Sequence, residues 1–212
     1  MALRAHPDPV RRRFAADLLL AVGFGTPLPN GDTADSAFEE RVLEFLLPWA
    51  AEETDSHVLV GILCGLAQHS DPRTESVGLL YAEHPDPRVR GGVLGTLQGW
   101  GEAFSAEGWE VLVALTRDAD TRIRRSACYR LAECGSRAPG ITDVLADRLD
   151  DEDDIVRLWA VYGLAERDDP RCAEGRPPVG EFDRTFWSWI LDAASRYEER
   201  RSQRGAPAAP GQ

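Results

Sequence analysis

The chain has 212 residues, 43% of them hydrophobic, which is enough to bury a real core and excludes disorder throughout. Its 36 acidic residues outweigh 24 basic ones, and the formal charge of -12 opposes long-range attraction to nucleic acid or anionic lipid and favours basic partners. Every basic residue is arginine, which together with abundant Ala, Gly and Pro suggests the codon bias of a GC-rich bacterial genome.

Four cysteines, Cys64, Cys128, Cys134 and Cys172, form no C-x-x-C pair and follow no secretory signal, so they read as reduced thiols of a cytoplasmic protein. The N-terminal run MALRAHPDPVRRRFAADLLLAVGFG imitates a signal peptide, but Asp17 interrupts it and the segment fits a helix that recurs downstream. No stretch approaches the roughly 18 uninterrupted apolar residues of a membrane span.

That helix has a start signal. In HPDPRVRGGVLGTLQGWG, Asp86 can cap a helix and Pro87 suits the first position, while Val89, Val93 and Leu97 fall on one face. Variants are anchored at Val10, Val58, Ile123 and Val156, each followed four and eight residues later by apolar side chains. The first of these, with Phe14 and Leu18, is expected to bury the same face as the others. Successive anchors from Val58 onward lie 31, 34 and 33 residues apart. The anchored (B) helices are expected near 8–22, 55–69, 86–100, 120–134 and 153–167. Between them, Ser36 to Ala50, Thr74 to Glu83, Ser105 to Arg117 and Ile141 to Leu149 read as companion (A) helices, giving a series of hairpins in which the first lacks its A helix. Gly23 to Asp35 is too rich in Gly and Pro for a helix.

After the loop ERDDPRCAEGRPPVG, a helix over 181–200 carries Phe182, Phe186, Trp187, Trp189, Ile190 and Tyr197 and is expected to close the open end of the stack. A partner-binding helix is the sharper alternative. Residues 201–212 have no apolar periodicity and are expected to be a disordered tail.

The run D-x-x-V-R, seen at Asp86, Val89 and Arg90, at Asp120, Ile123 and Arg124, and at Asp153, Val156 and Arg157, resembles the HEAT repeat over residues 6–168, and in its short period the type found in phycobilin lyases. The resemblance implies an all-α, right-handed α-α superhelix, a HEAT/armadillo-like solenoid of about five repeats in a single domain spanning 1–200, with the B helices lining a concave surface. It also implies a polar ladder between repeats built from Asp86, Arg90, Asp120, Arg124, Asp153 and Arg157. Leu59 interrupts that ladder in the second repeat, and Arg11 supplies it in the first.

If the anchors are buried, residues two and six places later face the concave side: Val60 and Cys64, Gly91 and Gly95, Arg125 and Tyr129, Leu158 and Tyr162. This lane is unusually apolar, and with Trp100 and Trp159 beside it reads as a shallow partner-binding groove, or else as tight repeat packing. The glycines of the central repeat fit either close helix packing or a ligand approaching the backbone. Catalysis and metal binding have little support: the four histidines lie in turns or at helix ends, phosphate-loop and nucleophile-elbow frames do not occur, and DDEDD at 150–154 reads as helix capping ahead of calcium or magnesium binding. No cofactor is expected. The cluster Arg122, Arg124, Arg125 and Arg130 invites a nucleic-acid reading, which the charge balance opposes. The primary expectation is a non-catalytic scaffold or adaptor for a protein partner, with an acidity that suits a basic one such as a toxin. The alternatives are an enzyme or enzyme subunit of chromophore-lyase type and a HEAT-like nucleic-acid repair protein.

Overall fold

The computed structural model describes residues 3–23, 36–97, 104–136, 139–175, 188–190 and 192–205. Among these the secondary structure is helical, with no strand: α1 (Pro9–Gly23), α2 (Ser36–Glu52), α3 (Ser56–Leu66), α4 (Pro72–Leu79), α5 (Pro87–Thr96), α6 (Ala106–Leu115), α7 (Thr121–Glu133), α8 (Pro139–Ala146), α9 (Asp154–Glu166), a 3₁₀ turn (Pro170–Ala173) and α10 (Ala193–Gly205). They fall into two compact units, Met1–Leu115 and Thr116–Gln212.

The helix starts are set by aspartate. Asp55, Asp86, Asp120 and Asp153 each accept a backbone N–H from the first turn of the following helix, satisfying donors that no intrahelical carbonyl can reach. Asp71 and Asp169 do the same, in a form the anchor pattern does not reveal. In Asp71-Pro72-Arg73, Asp86-Pro87-Arg88 and Asp169-Pro170-Arg171 the arginine folds back on the capping carboxylate, its Nη2 lying 2.8, 2.7 and 2.7 Å from Oδ2. The histidines of the two HPDP turns are also structural, His6 Nδ1 and His84 Nδ1 each accepting the N–H of the capping aspartate at 3.0 Å.

In the first unit α3 packs between α1 and α5, with α2 on its flank and α4 against α5. Val42, Leu46, Trp49, Val58, Ile62, Leu63 and Leu66 form the core. Glycines allow the close approach: a Cβ at Gly61 would meet Arg13 and Ala16 of α1, one at Gly92 would lie 3.0 Å from Leu63, and one at Gly95 would lie 2.9 Å from the Ala67 Cβ. In the second unit α9 packs on α7, α8 and α10. Gly163 of α9 lies so close to α7 that a Cβ there would sit 3.0 Å from the Ala132 Cα and 2.7 Å from Leu145 Cδ1. Because backbone cannot rotate away, Gly163→Ala should cost about 2 kcal/mol despite its better helix propensity, measurable as a lower urea midpoint.

The first repeat departs from the expected register. Val10 N donates to Asp8 Oδ1 at 2.9 Å, so Asp8-Pro9 aligns with Asp86-Pro87, and the first helix is set one residue off the valine anchor. Arg12, not Arg11, holds the ladder position: its Nη1 donates to His6 O and Pro7 O at 2.9 and 3.1 Å, as Arg90 Nη1 does to His84 O and Pro85 O at 2.8 and 3.3 Å. One residue is about 100° of helix rotation. Val10, Phe14 and Leu18 are consequently 72%, 61% and 49% exposed, while Ala16 is buried.

At the other end, helix extends beyond the expected limit. α10 runs to Gly205, so 201–205 are not a disordered tail. Arg200 and Arg204 both reach Asp168, and basic side chains in the last turn complement the negative end of the helix dipole. Residues 181–187, with Phe182, Phe186 and Trp187, lie outside the described residues, as do 206–212 and most of the Gly23 to Asp35 segment.

Candidate functional site

The polar ladder uses its two residue types differently from the expectation. Asp86 and Asp120 cap their own helices, and Asp86 pairs with Arg88 of its own turn rather than with a neighbouring repeat. The arginines make the cross-links. Arg124 holds Asp118 O and Ala119 O within its own turn and reaches Asp151 and Glu152 of the next. Arg12 likewise pairs with Glu53 at 2.9 Å. Arg157 stays within its own turn, on Asp151 O and Asp154. Asp153 both caps α9 and receives Arg125.

These contacts remove several residues from the expected partner-binding lane. Arg125 is committed to Asp153 at 2.8 Å. Leu158 is 1% exposed and belongs to the core with Cys128, Val156 and Ile190, so it is not on an open groove; the C-terminal segment covers it. Trp159 is buried in the same cluster. In the first unit Val60, Cys64 and Gly91 are half-buried and Gly95 is exposed, and burial pushes the Cys64 thiol up, keeping it protonated. Trp100 lies outside the described residues. Of the arginine cluster on α7, Arg124 and Arg130 are buried and Arg125 is paired, leaving Arg122 exposed.

What remains is an aromatic cluster in the second unit. Tyr129 on α7 meets Trp159 on α9 at 4.8 Å between ring centroids, Trp159 meets Tyr162 at 5.9 Å, and Trp189 lies edge-on to Tyr162 at 5.0 Å. The ring geometries are tilted or T-shaped, the arrangement that aromatic quadrupoles prefer. Tyr129 and Tyr162 share one face because each stands nine residues after the aspartate that caps its helix, Asp120 and Asp153. Trp189, which anchor spacing does not flag because it lies outside the repeats, is 47% exposed.

Beside the rings lies a cleft of about 200 Å³, bordered by Glu133, Ser136, Tyr162, Glu166 and Arg167. Burial, reinforced by the Glu133 carboxylate, pushes the Tyr162 hydroxyl up to about 12. Glu133 Oε1 is buried without a hydrogen-bond partner among the described residues, and Arg196 stands 4.0 Å from Glu166 while donating to Trp189 O. Exposed ring faces flanked by carboxylates attract cationic side chains. Among the described residues no helix is long and apolar enough to cross a membrane.

Comparison with known proteins addresses the repeats directly. Among solved structures, the chain is similar to YibA of Escherichia coli (18% identity over 82% of this chain and 60% of that one, TM-score 0.63). An engineered protein is similar at 16% identity over 93% of this chain and 94% of its own, with a TM-score of 0.60. The Schizosaccharomyces pombe condensin Cnd3-Cnd2 subcomplex contains a similar chain (18% identity, TM-score 0.60), matched over 95% of this chain but only 26% of that one. This chain therefore spans only part of the length of two of these three. At such identities the likeness shows the fold, an all-helical HEAT-like solenoid. No curated protein matches in sequence. The family model described as HEAT repeats matches residues 78–165, the segment that holds α5, α7 and α9 with their capping aspartates, and this part of the chain is a run of HEAT repeats.

Proposed function

We propose that the protein is a binding scaffold whose recognition surface in the second unit is built on Tyr129, Tyr162 and Trp189, and that its partner is a basic protein. The observation that carries this reading is Trp189, a large aromatic left 47% exposed against the Tyr162 ring beside Glu133 and Glu166. Tyr and Trp side chains of this kind dominate protein interfaces because they bury much area at little entropic cost. The fold supports the reading, since stacked helical hairpins present extended surfaces. A charge of -12 favours encounter with a basic surface.

Affinity capture from the source cell, followed by titration of the captured protein, tests it. Tyr129→Ala with Tyr162→Ala, or Trp189→Ala alone, should weaken binding by about tenfold to a hundredfold while the helical circular dichroism is retained. Binding that survives all three substitutions would remove this surface from consideration. Salt-dependent retention of DNA by the purified chain would instead favour a nucleic-acid role.

A further inference from the structure

The cleft of about 200 Å³ beside Tyr162 holds two carboxylates whose placement the helices themselves do not favour. Glu133 and Glu166 stand at the same place in successive repeats, each thirteen residues after its capping aspartate and each the last residue of its helix. The carbonyl end of a helix carries the negative end of the dipole, so a carboxylate there is set against the local field. Among the described residues neither carboxylate receives a hydrogen bond from a cation. Glu133 borders the cleft, and its Oε1 is buried without a partner. Arg167 lines the same cleft, but its five N–H groups are spent on the carbonyls of Leu131, Ala132, Cys134, Ser136 and Gly163. Arg196 stops 4.0 Å from Glu166, beyond hydrogen-bond reach, and donates to Trp189 O instead.

We propose that this cleft receives one arginine side chain of a partner protein, its guanidinium donating to Glu133 and Glu166. The inference rests on the binding-scaffold reading above and names what the partner must contribute. A guanidinium supplies the donors that the buried Glu133 oxygen lacks, and its planar fork can serve two carboxylates at once. Its face can lie on the ring of Tyr162, which borders the cleft between the two glutamates and the exposed Trp189. A lysine ammonium is a single, more strongly hydrated point and meets fewer of these conditions. The chain's own Arg196 marks the same chemistry at the rim, where a guanidinium already stands between Glu166 and the Trp189 backbone.

Titration of the purified chain with N-acetyl-arginine amide, followed by the indole N–H resonance of Trp189 assigned through Trp189→Phe, should give a saturable shift. The uncharged isostere N-acetyl-citrulline amide should give none. Glu133→Gln and Glu166→Gln keep the side-chain size and should each weaken binding of the arginine amide by about tenfold or more with the circular dichroism unchanged. Glu110→Gln, at an exposed carboxylate of the first unit, should leave it unaltered. Absence of a saturable shift, an equal response to the citrulline amide, or indifference to both cleft substitutions overturns the proposal. A captured protein partner that depends on Tyr162 and Trp189 but not on Glu133 or Glu166 would overturn this inference and leave the scaffold reading standing. Arginine amide bound in the cleft, with no protein partner that needs the three rings, would do the reverse.

Discussion

Arg167→Ala should be the most damaging single substitution in the second unit, lowering its stability by about 3 kcal/mol in urea unfolding followed by tryptophan fluorescence. The Arg167 guanidinium donates to Leu131 O at 2.9 Å, Ala132 O at 3.1 Å, Cys134 O at 2.6 Å, Ser136 O at 3.2 Å and Gly163 O at 2.9 Å. Four of these carbonyls belong to the end of α7 and the turn beyond it, where no intrahelical N–H is available. The side chain thus caps one helix from the end of another and ties α9 to α7. Removing it strands several half-buried acceptors at once, each costing about 1 kcal/mol or more when unmet. Arg167→Lys should recover little, because an ammonium offers three donors at one point rather than a planar fork. A loss below about 1 kcal/mol would mean that water replaces the guanidinium freely.

Glu53→Ala should cost the first unit a comparable amount, again about 3 kcal/mol. The Glu53 side chain is only 4% exposed and accepts two hydrogen bonds from Arg12 at 2.9 Å, one from Trp49 Nε1 at 3.1 Å, and the N–H groups of Thr54 and Asp55. It stitches the first repeat to the second and fixes the turn that leads to the capping Asp55. Truncation leaves a half-buried guanidinium and an indole N–H without their acceptor. A double-mutant cycle with Arg12→Ala should show strong coupling, because either single change already removes the pair.

The same carboxylate predicts a direction for acid sensitivity. Burial pushes the Glu53 carboxyl up, but hydrogen bonds from Arg12, the Asp55 backbone and Trp49 outweigh it and hold the group below its ordinary 4.5. As pH falls, the unfolded chain therefore takes up the proton first. The stability contributed by Glu53 is complete above the ordinary value and disappears as pH drops through the lower folded one. Glu53→Gln should flatten this part of the stability profile in acid, and an unchanged slope would show that other carboxylates govern it.

Arg167 and Glu53 illustrate which parts of the structure one-dimensional pattern could reach. Asp86, Pro87, Val89, Val93 and Leu97 could be read as a helix start and a buried face because capping and 3.6-residue periodicity are local. Arg167 sits in a loop by composition, and nothing local announces that it will serve carbonyls 31 to 36 residues earlier. Trp189 lies outside the repeat, so its meeting with Tyr162 could not follow from anchor spacing. Leu158 shared the apolar lane with Tyr162 on paper, yet Ile190 covers the cluster that contains it.

The sequence alone determined that the chain is a series of capped helices, of the HEAT type over residues 78–165, because each Asp-started turn carries its own instructions and repetition makes them legible. Only the tertiary structure decided which side chains are spent holding repeats together and which are left over. It moved the ladder of the first repeat from Arg11 to Arg12, since the capping aspartate, not the valine, sets the helix phase. It also turned Val10, Phe14 and Leu18 outward. Exposure depends on what packs against a face, and that is not written in the local pattern.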